Sequence, residues 1–231
     1  MTDNKLLNTL YAHAAHLHSL FQPALNPSNT CMMDFSSSNK DLQALDLSDT
    51  ARLNRYVFDQ IHAAGALYGF GGYMEDREVY RRSTHFSAGD GPPRSIHLGV
   101  DIWTREETPV HLPLDGKIHS FQVNATYGDY GPTIIVEHQL AGQTFFSLYG
   151  HLSMQSLDGL HSGMELAAGE AFCRIGDSRV NGDWPPHLHF QLITDMQGKM
   201  GDFPGVCLAA ERDKYRELCP SPAVFFQYLE E

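Results

Sequence analysis

Near the start of the chain, Leu6, Leu7, Leu10, Leu17, Leu20 and Phe21 recur at roughly helical spacing, and Pro23 ends the run. Residues 26–40 (NPSNTCMMDFSSSNK) lose the periodicity and read as a loop. Ser48 and Asp49 are good caps for a second helix, whose apolar stripe is Leu53, Val57, Phe58 and Ile61. The glycine-rich YGFGGY at 68–73 reads as strong punctuation. After it come short alternating or β-branched runs divided by Gly, Pro and Asp: 96–103, 108–113, 117–123, 133–138, 144–152 and 187–193. QLAGQ between two of these runs predicts a hairpin loop. The expectation is a mainly β fold, an antiparallel sheet or sandwich over 74–205. Residues 1–73 are then a helical extension packed on it, and 206–231 a short, partly helical tail.

The bulk composition places limits on function. The 231 residues are 42% hydrophobic and 19% charged, enough for a sizeable core without staples. A formal charge of −12 argues against a nucleic-acid partner, which needs clustered Lys and Arg. No apolar stretch long enough to span a membrane is present. The first residues, MTDNKLLNTLYAHAAHLHSLF, lack the unbroken apolar run of an export signal. The expectation from this is a cytoplasmic protein, or a periplasmic or secreted one if the start has been trimmed. Cys31, Cys173, Cys207 and Cys219 form no CxxC pair, which disfavours a thiolate metal site, and they are expected to be free thiols.

Thirteen histidines are many for this length, and three motifs stand out among them. In HLHF, His187 and His189 are two apart on an expected strand, so they share one face, ~6.5–7 Å apart along the backbone. Both can reach one metal polyhedron or its surroundings. In HLGVD, His97 and Asp101 are ligand types that zinc accepts when no thiolate is offered. A straight strand would hold them ~13 Å apart, so the motif requires a bend, which Gly99 permits. In YGHLS, His151 follows an apolar strand and a glycine, near a strand end. Two imidazoles and a carboxylate leave a position open for water, as catalytic rather than structural zinc requires. Two histidines then remain to move protons and steady charge. His13, His16 and His18 read as a solvated helix face. His62, His85, His111, His119, His138 and His161 have no partner spacing.

Taken in order, these motifs resemble the lysostaphin-type (LytM-like) metalloendopeptidases, which cut peptide cross-links in bacterial cell walls. The resemblance rests on His97–Asp101, Tyr149–Ser153 and His187–Phe190, and on the intervening TPVHLPLDGKI, GDYGPTIIVEH and SGMELAAGEAFCRIGDS. It covers residues 80–205. It implies the family's antiparallel β fold, with Zn2+ held by His97, Asp101 and His189 and with His151 and His187 as catalytic histidines. It also implies a peptide substrate, derived from peptidoglycan. Tyr149 is read as a packing residue. The chain departs from the family in GDSRVNGDWPPHLHF, where Trp184 and Pro185 replace small flexible residues beside the expected groove. Two other readings stay open: a cytosolic hydrolase of another small peptide or amide, and a zinc-binding regulatory module without activity. N-terminal helices covering the groove would point to latency or an unusual substrate.

Overall fold

The computed structural model describes residues 5–82, 86 and 91–229. Helix α1 (Lys5–Ala12) is followed by strand β1 (Thr30–Met32), the short α2 (Lys40–Gln43), α3 (Thr50–Ala63) and β2 (Tyr68–Gly71). Strands β3 (Ile96–His97), β4 (Val100–Trp103), β5 (Pro109–His111) and β6 (Gly116–Asn124) come next. They are followed by β7 (Gly131–Leu140), β8 (Gln143–Gly150), β9 (Glu165–Leu166), β10 (Ala171–Arg174) and β11 (His187–Ile193). The chain closes with β12 (Val206–Cys207), α4 (Arg212–Leu218) and 3-10 turns over Pro222–Leu229.

Eight strands form one sheet in the order β1-β2-β4-β11-β8-β7-β6-β9. The mainly β fold is as expected, and every neighbouring pair is antiparallel except the parallel β1–β2. The expected hairpin closes β7 onto β8 through Ala141 and Gly142, both at positive φ, as a two-residue turn twisted with the strands requires. Helix α3 starts where its cap predicts, with the Asp49 side chain accepting from the Arg52 N–H.

Several elements differ from the periodicity. The loop expected at 26–40 contains β1, and YGFGGY is not a turn but contributes β2, so the N-terminal segment adds two strands to the main sheet. The glycines there serve close packing: a Cβ at Gly71 would lie 2.7 Å from the Met33 carbonyl oxygen, and one at Gly69 3.0 Å from the Ile61 side chain. The first helix ends at Ala12, well before Pro23. Beyond it the backbone bonds to the core instead, His18 N–H to the Pro113 carbonyl and His111 N–H to the Leu20 carbonyl, burying Leu20 and Phe21 completely.

The central strands are covered on both faces. Val100, Ile102, Leu188, Phe190 and Leu192 point into the largest apolar cluster, beneath α1 and the C-terminal turns. The alternate positions, Asp101, Trp103, His187, His189 and Gln191, are buried on the opposite face.

Candidate metal centre

Register builds the site. On β11, His189 lies opposite Asp101 of β4 on one side and Gly150 of β8 on the other. His187 lies opposite Trp103, and His151 follows β8 immediately. His97 arrives from outside the sheet, on β3, paired with Val206 of β12. The bend that HLGVD requires is present, because β3 and β4 are separate strands joined through Leu98 and Gly99. A Cβ at Gly99 would stand 2.6 Å from the Phe190 carbonyl oxygen and 2.8 Å from the His189 ring, so only glycine lets the chain cross there.

The five expected residues meet, and all are buried, from 1% exposure at His97 to 6% at His151. His97 Nε2 is 2.9 Å from His189 Nδ1, and Asp101 Oδ1 is 3.3 Å from the first and 3.1 Å from the second. Among the described residues this is the one group of His, Cys, Asp or Glu able to share a metal ion. The tautomers follow from the outer contacts. His97 Nδ1–H donates to the Gly72 carbonyl at 3.1 Å, and His189 Nε2–H donates to Gln191 Oε1 at 2.9 Å. Gln191 is oriented in turn by its own donation to the Pro204 carbonyl. Two lone pairs and a carboxylate oxygen therefore face one another at close range, which is repulsive unless a cation lies between them. The donor types and separations suit zinc.

Electrostatics keep the donors in metal-binding form. Burial, reinforced by the Arg77 guanidinium, pushes His97 down to about 3. Burial opposes ionisation of Asp101, but the Arg77 guanidinium paired with it overcomes this and holds the carboxyl well below its usual range.

His151 and His187 stand beside this cluster, ring centroids 4.1 Å apart. Their Nδ1–H groups donate to the Asn181 and Pro185 carbonyls at 2.8 and 2.7 Å, leaving both Nε2 atoms unprotonated. His187 Nε2 is 3.8 Å from Asp101 Oδ1. Burial lowers the pKa of both rings, which are therefore neutral bases near pH 7.

A cavity of about 280 Å³ opens on the group. Trp184 and Pro185, from the divergent loop, wall one side, and Phe35, Leu53, Tyr80 and Phe86, all ahead of β3 in the chain, help cover it. Tyr130 also lines the cavity, its ring 5.1 Å from His189 and its buried hydroxyl without a hydrogen-bond partner. Tyr149 is packed in the core against Phe172 and Phe190, on the other face of the sheet. All four cysteines are free. His85 lies outside the described residues.

Sequence reasoning missed three residues here. Gln191 continues the period of two from His187 and His189, so its place on the site face was legible. Tyr130 lies in GDYGPTIIVEH, a segment that resembles the family, but is not singled out there, and Arg77 carries no comparable signal. Arg77 pairs with Asp101 from a segment that held no motif.

Two imidazoles and a carboxylate, flanked by two further neutral imidazoles, define the class: a candidate catalytic metal centre on a β-sheet scaffold. Residues 95–200, just under half of the chain, match the model of peptidase family M23. No curated protein matches it. Among solved structures it is similar to the catalytic domain of the antimicrobial peptidase lysostaphin from Staphylococcus simulans. That match has 27% identity and a TM-score of 0.34, over 48% of this chain and 74% of that one. It is also similar to the catalytic domain of the prophage-encoded M23 protein EnpA from Enterococcus faecalis, with 20% identity, a TM-score of 0.37 and coverage of 48% and 78%. A zinc containing peptidase from Vibrio cholerae matches at 24% identity and a TM-score of 0.35, over 46% of this chain and 29% of that one.

Proposed function

We propose that this protein is a zinc-dependent endopeptidase acting on peptidoglycan stem peptides or cross-bridges. One observation carries the reading: two neutral imidazole Nε2 atoms stand beside a His–Asp–His donor set whose lone pairs converge. A regulatory module would have no need of the flanking pair. The choice of a wall peptide rests on the motifs of residues 80–205 and on the family match.

In this reading His97 Nε2, Asp101 Oδ1 and His189 Nδ1 hold the zinc. When bound, the ion supplies Lewis acidity and a water of lowered pKa. One of His151 and His187 takes the proton of the attacking water and passes it to the leaving amine. The other, with Nε2 also unprotonated, accepts a hydrogen bond from the same water and orients it. Tyr130, with its unpartnered hydroxyl, donates to a substrate carbonyl in the same cavity. Trp184 and the N-terminal residues over the cavity exclude water and favour small side chains beside the scissile bond.

The test is metal content together with hydrolysis of a defined panel of peptidoglycan peptides, for the wild type and for His151→Ala and His187→Ala. The wild type is expected to hold one zinc and cleave. The two variants are expected to keep the zinc and lose about 10²–10⁴-fold in turnover. A wild type that binds zinc and cleaves nothing on the panel would support the module. One that binds no zinc would overturn the reading.

A further inference from the structure

Arg77 lies outside the family segment and outside every motif, and it is 2% exposed. Nη1 donates to Asp101 Oδ2, and Nε donates to Glu75 Oε2 at 2.8 Å. The guanidinium carbon is 5.5, 5.7 and 5.9 Å from the ring centres of Phe35, Trp103 and Tyr80. The Arg77 backbone N–H is bonded to the Ser95 carbonyl at 2.9 Å, just ahead of β3. With its main chain tied, its fork bonded at two edges and its faces boxed by rings, the guanidinium has one position available.

That position divides the Asp101 carboxylate. Oδ2 is taken by Arg77, while Oδ1 faces the two histidine nitrogens at 3.1 and 3.3 Å. A carboxylate can meet zinc through one oxygen or both. With both, it would occupy a coordination position that hydrolysis needs for water or substrate.

We infer that Arg77 is a positioning residue that reserves Oδ2 of Asp101, so that the carboxylate meets the metal through Oδ1 alone and a coordination position stays open. This rests on the zinc reading above. It makes the stretch from Phe35 to Tyr80 part of the metal centre, not an appendage to it. A merely structural Arg77, a counter-ion pinning the 75–77 segment to the core, would alter stability and leave the coordination of a bound ion unchanged.

The experiment measures zinc affinity by competition with a chromogenic chelator, and the visible spectrum of the cobalt(II)-substituted protein, whose bands weaken as coordination rises from four to five. Arg77→Gln frees Oδ2. It is expected to bind zinc about 10–100-fold more weakly and to show weakened cobalt bands. Arg77→Lys keeps the cation without the fork, and Glu75→Gln removes one anchor of the fork; both are expected to shift in the same direction by less. Near-UV circular dichroism of the metal-free forms checks folding, and if Arg77→Gln does not fold, the other two variants decide. Folded variants with wild-type affinity and an unchanged cobalt spectrum would overturn the role of Arg77 alone. A wild type that takes up neither metal would sink the zinc reading and this inference with it.

Discussion

His151 sits at φ 62°, a backbone conformation that non-glycine residues seldom hold. It is pinned there from both sides: its N–H donates to the Tyr130 carbonyl at 2.8 Å, and its carbonyl accepts from Gly176 N–H at 2.9 Å. The fixed backbone aims Nε2 at the cavity, so the strain has a use. Tyr130, whose carbonyl helps pin His151, carries the unpartnered hydroxyl. Leaving a hydroxyl buried without a partner costs about 1–3 kcal/mol, a cost that a substrate carbonyl would offset. Tyr130→Phe is therefore expected to keep zinc content, to raise the melting temperature, and to lose roughly tenfold or more in kcat/KM, measured on the same peptide panel. An unchanged kcat/KM would remove Tyr130 from the reaction. At this scale His97, Asp101, His151, His187 and His189 were legible, because their residue types and spacings are unusual together. Arg77 was not, since nothing local distinguishes a buried arginine from a solvated one.

Strand β11 carries most of the site in one element. Its period of two sends Leu188, Phe190 and Leu192 into the core and His187, His189 and Gln191 to the other face. Slipping the register by one residue would bury the apolar set in the cavity and the histidines in the core. The core therefore holds the donors in register. The crossing at Gly99 is the tightest local requirement, since a Cβ there would strike both β11 backbone and a donor ring. Gly99→Ala is expected to push β3 away from β11, weaken zinc binding by at least tenfold in chelator competition, and destabilise the protein by about 1–3 kcal/mol in urea unfolding. Wild-type affinity in that variant would mean the crossing is slack. The bend was readable from the sequence, because His97 and Asp101 cannot share an ion without one. That YGFGGY is a strand was not readable: its glycines answer to Met33 and Ile61, which are distant in sequence.

Across the whole molecule, buried histidines make stability depend on pH. His138, far from the metal cluster in the chain, donates through Nδ1 to the Asp115 carbonyl at 2.9 Å and accepts at Nε2 from the Ser147 hydroxyl at 2.6 Å. Burial lowers its pKa from 6.5 to about 4. The folded state thus favours the neutral ring, while the unfolded chain takes up a proton near 6.5. The resulting stability, at most about 3 kcal/mol, is complete above pH 6.5 and is lost as the pH falls toward 4. Thermal unfolding between pH 7 and 4 should show a shallower decline for His138→Leu than for the wild type. Equal slopes would contradict the assignment. On the same scale, no helix among the described residues is long and apolar enough to cross a membrane.

The sequence by itself determined the β class, the capped helix α3, the hairpin after β7 and the five chemically distinctive residues. Each depends on short-range facts: periodicity, cap chemistry, turn residues and ligand types. Only the tertiary structure decided that residues 30–32 and 68–71 join the sheet, that residues ahead of β3 help wall the cavity, and that Arg77 pairs with Asp101. These depend on which distant segments bury one another's surfaces, and no local pattern encodes the partner of a buried charge.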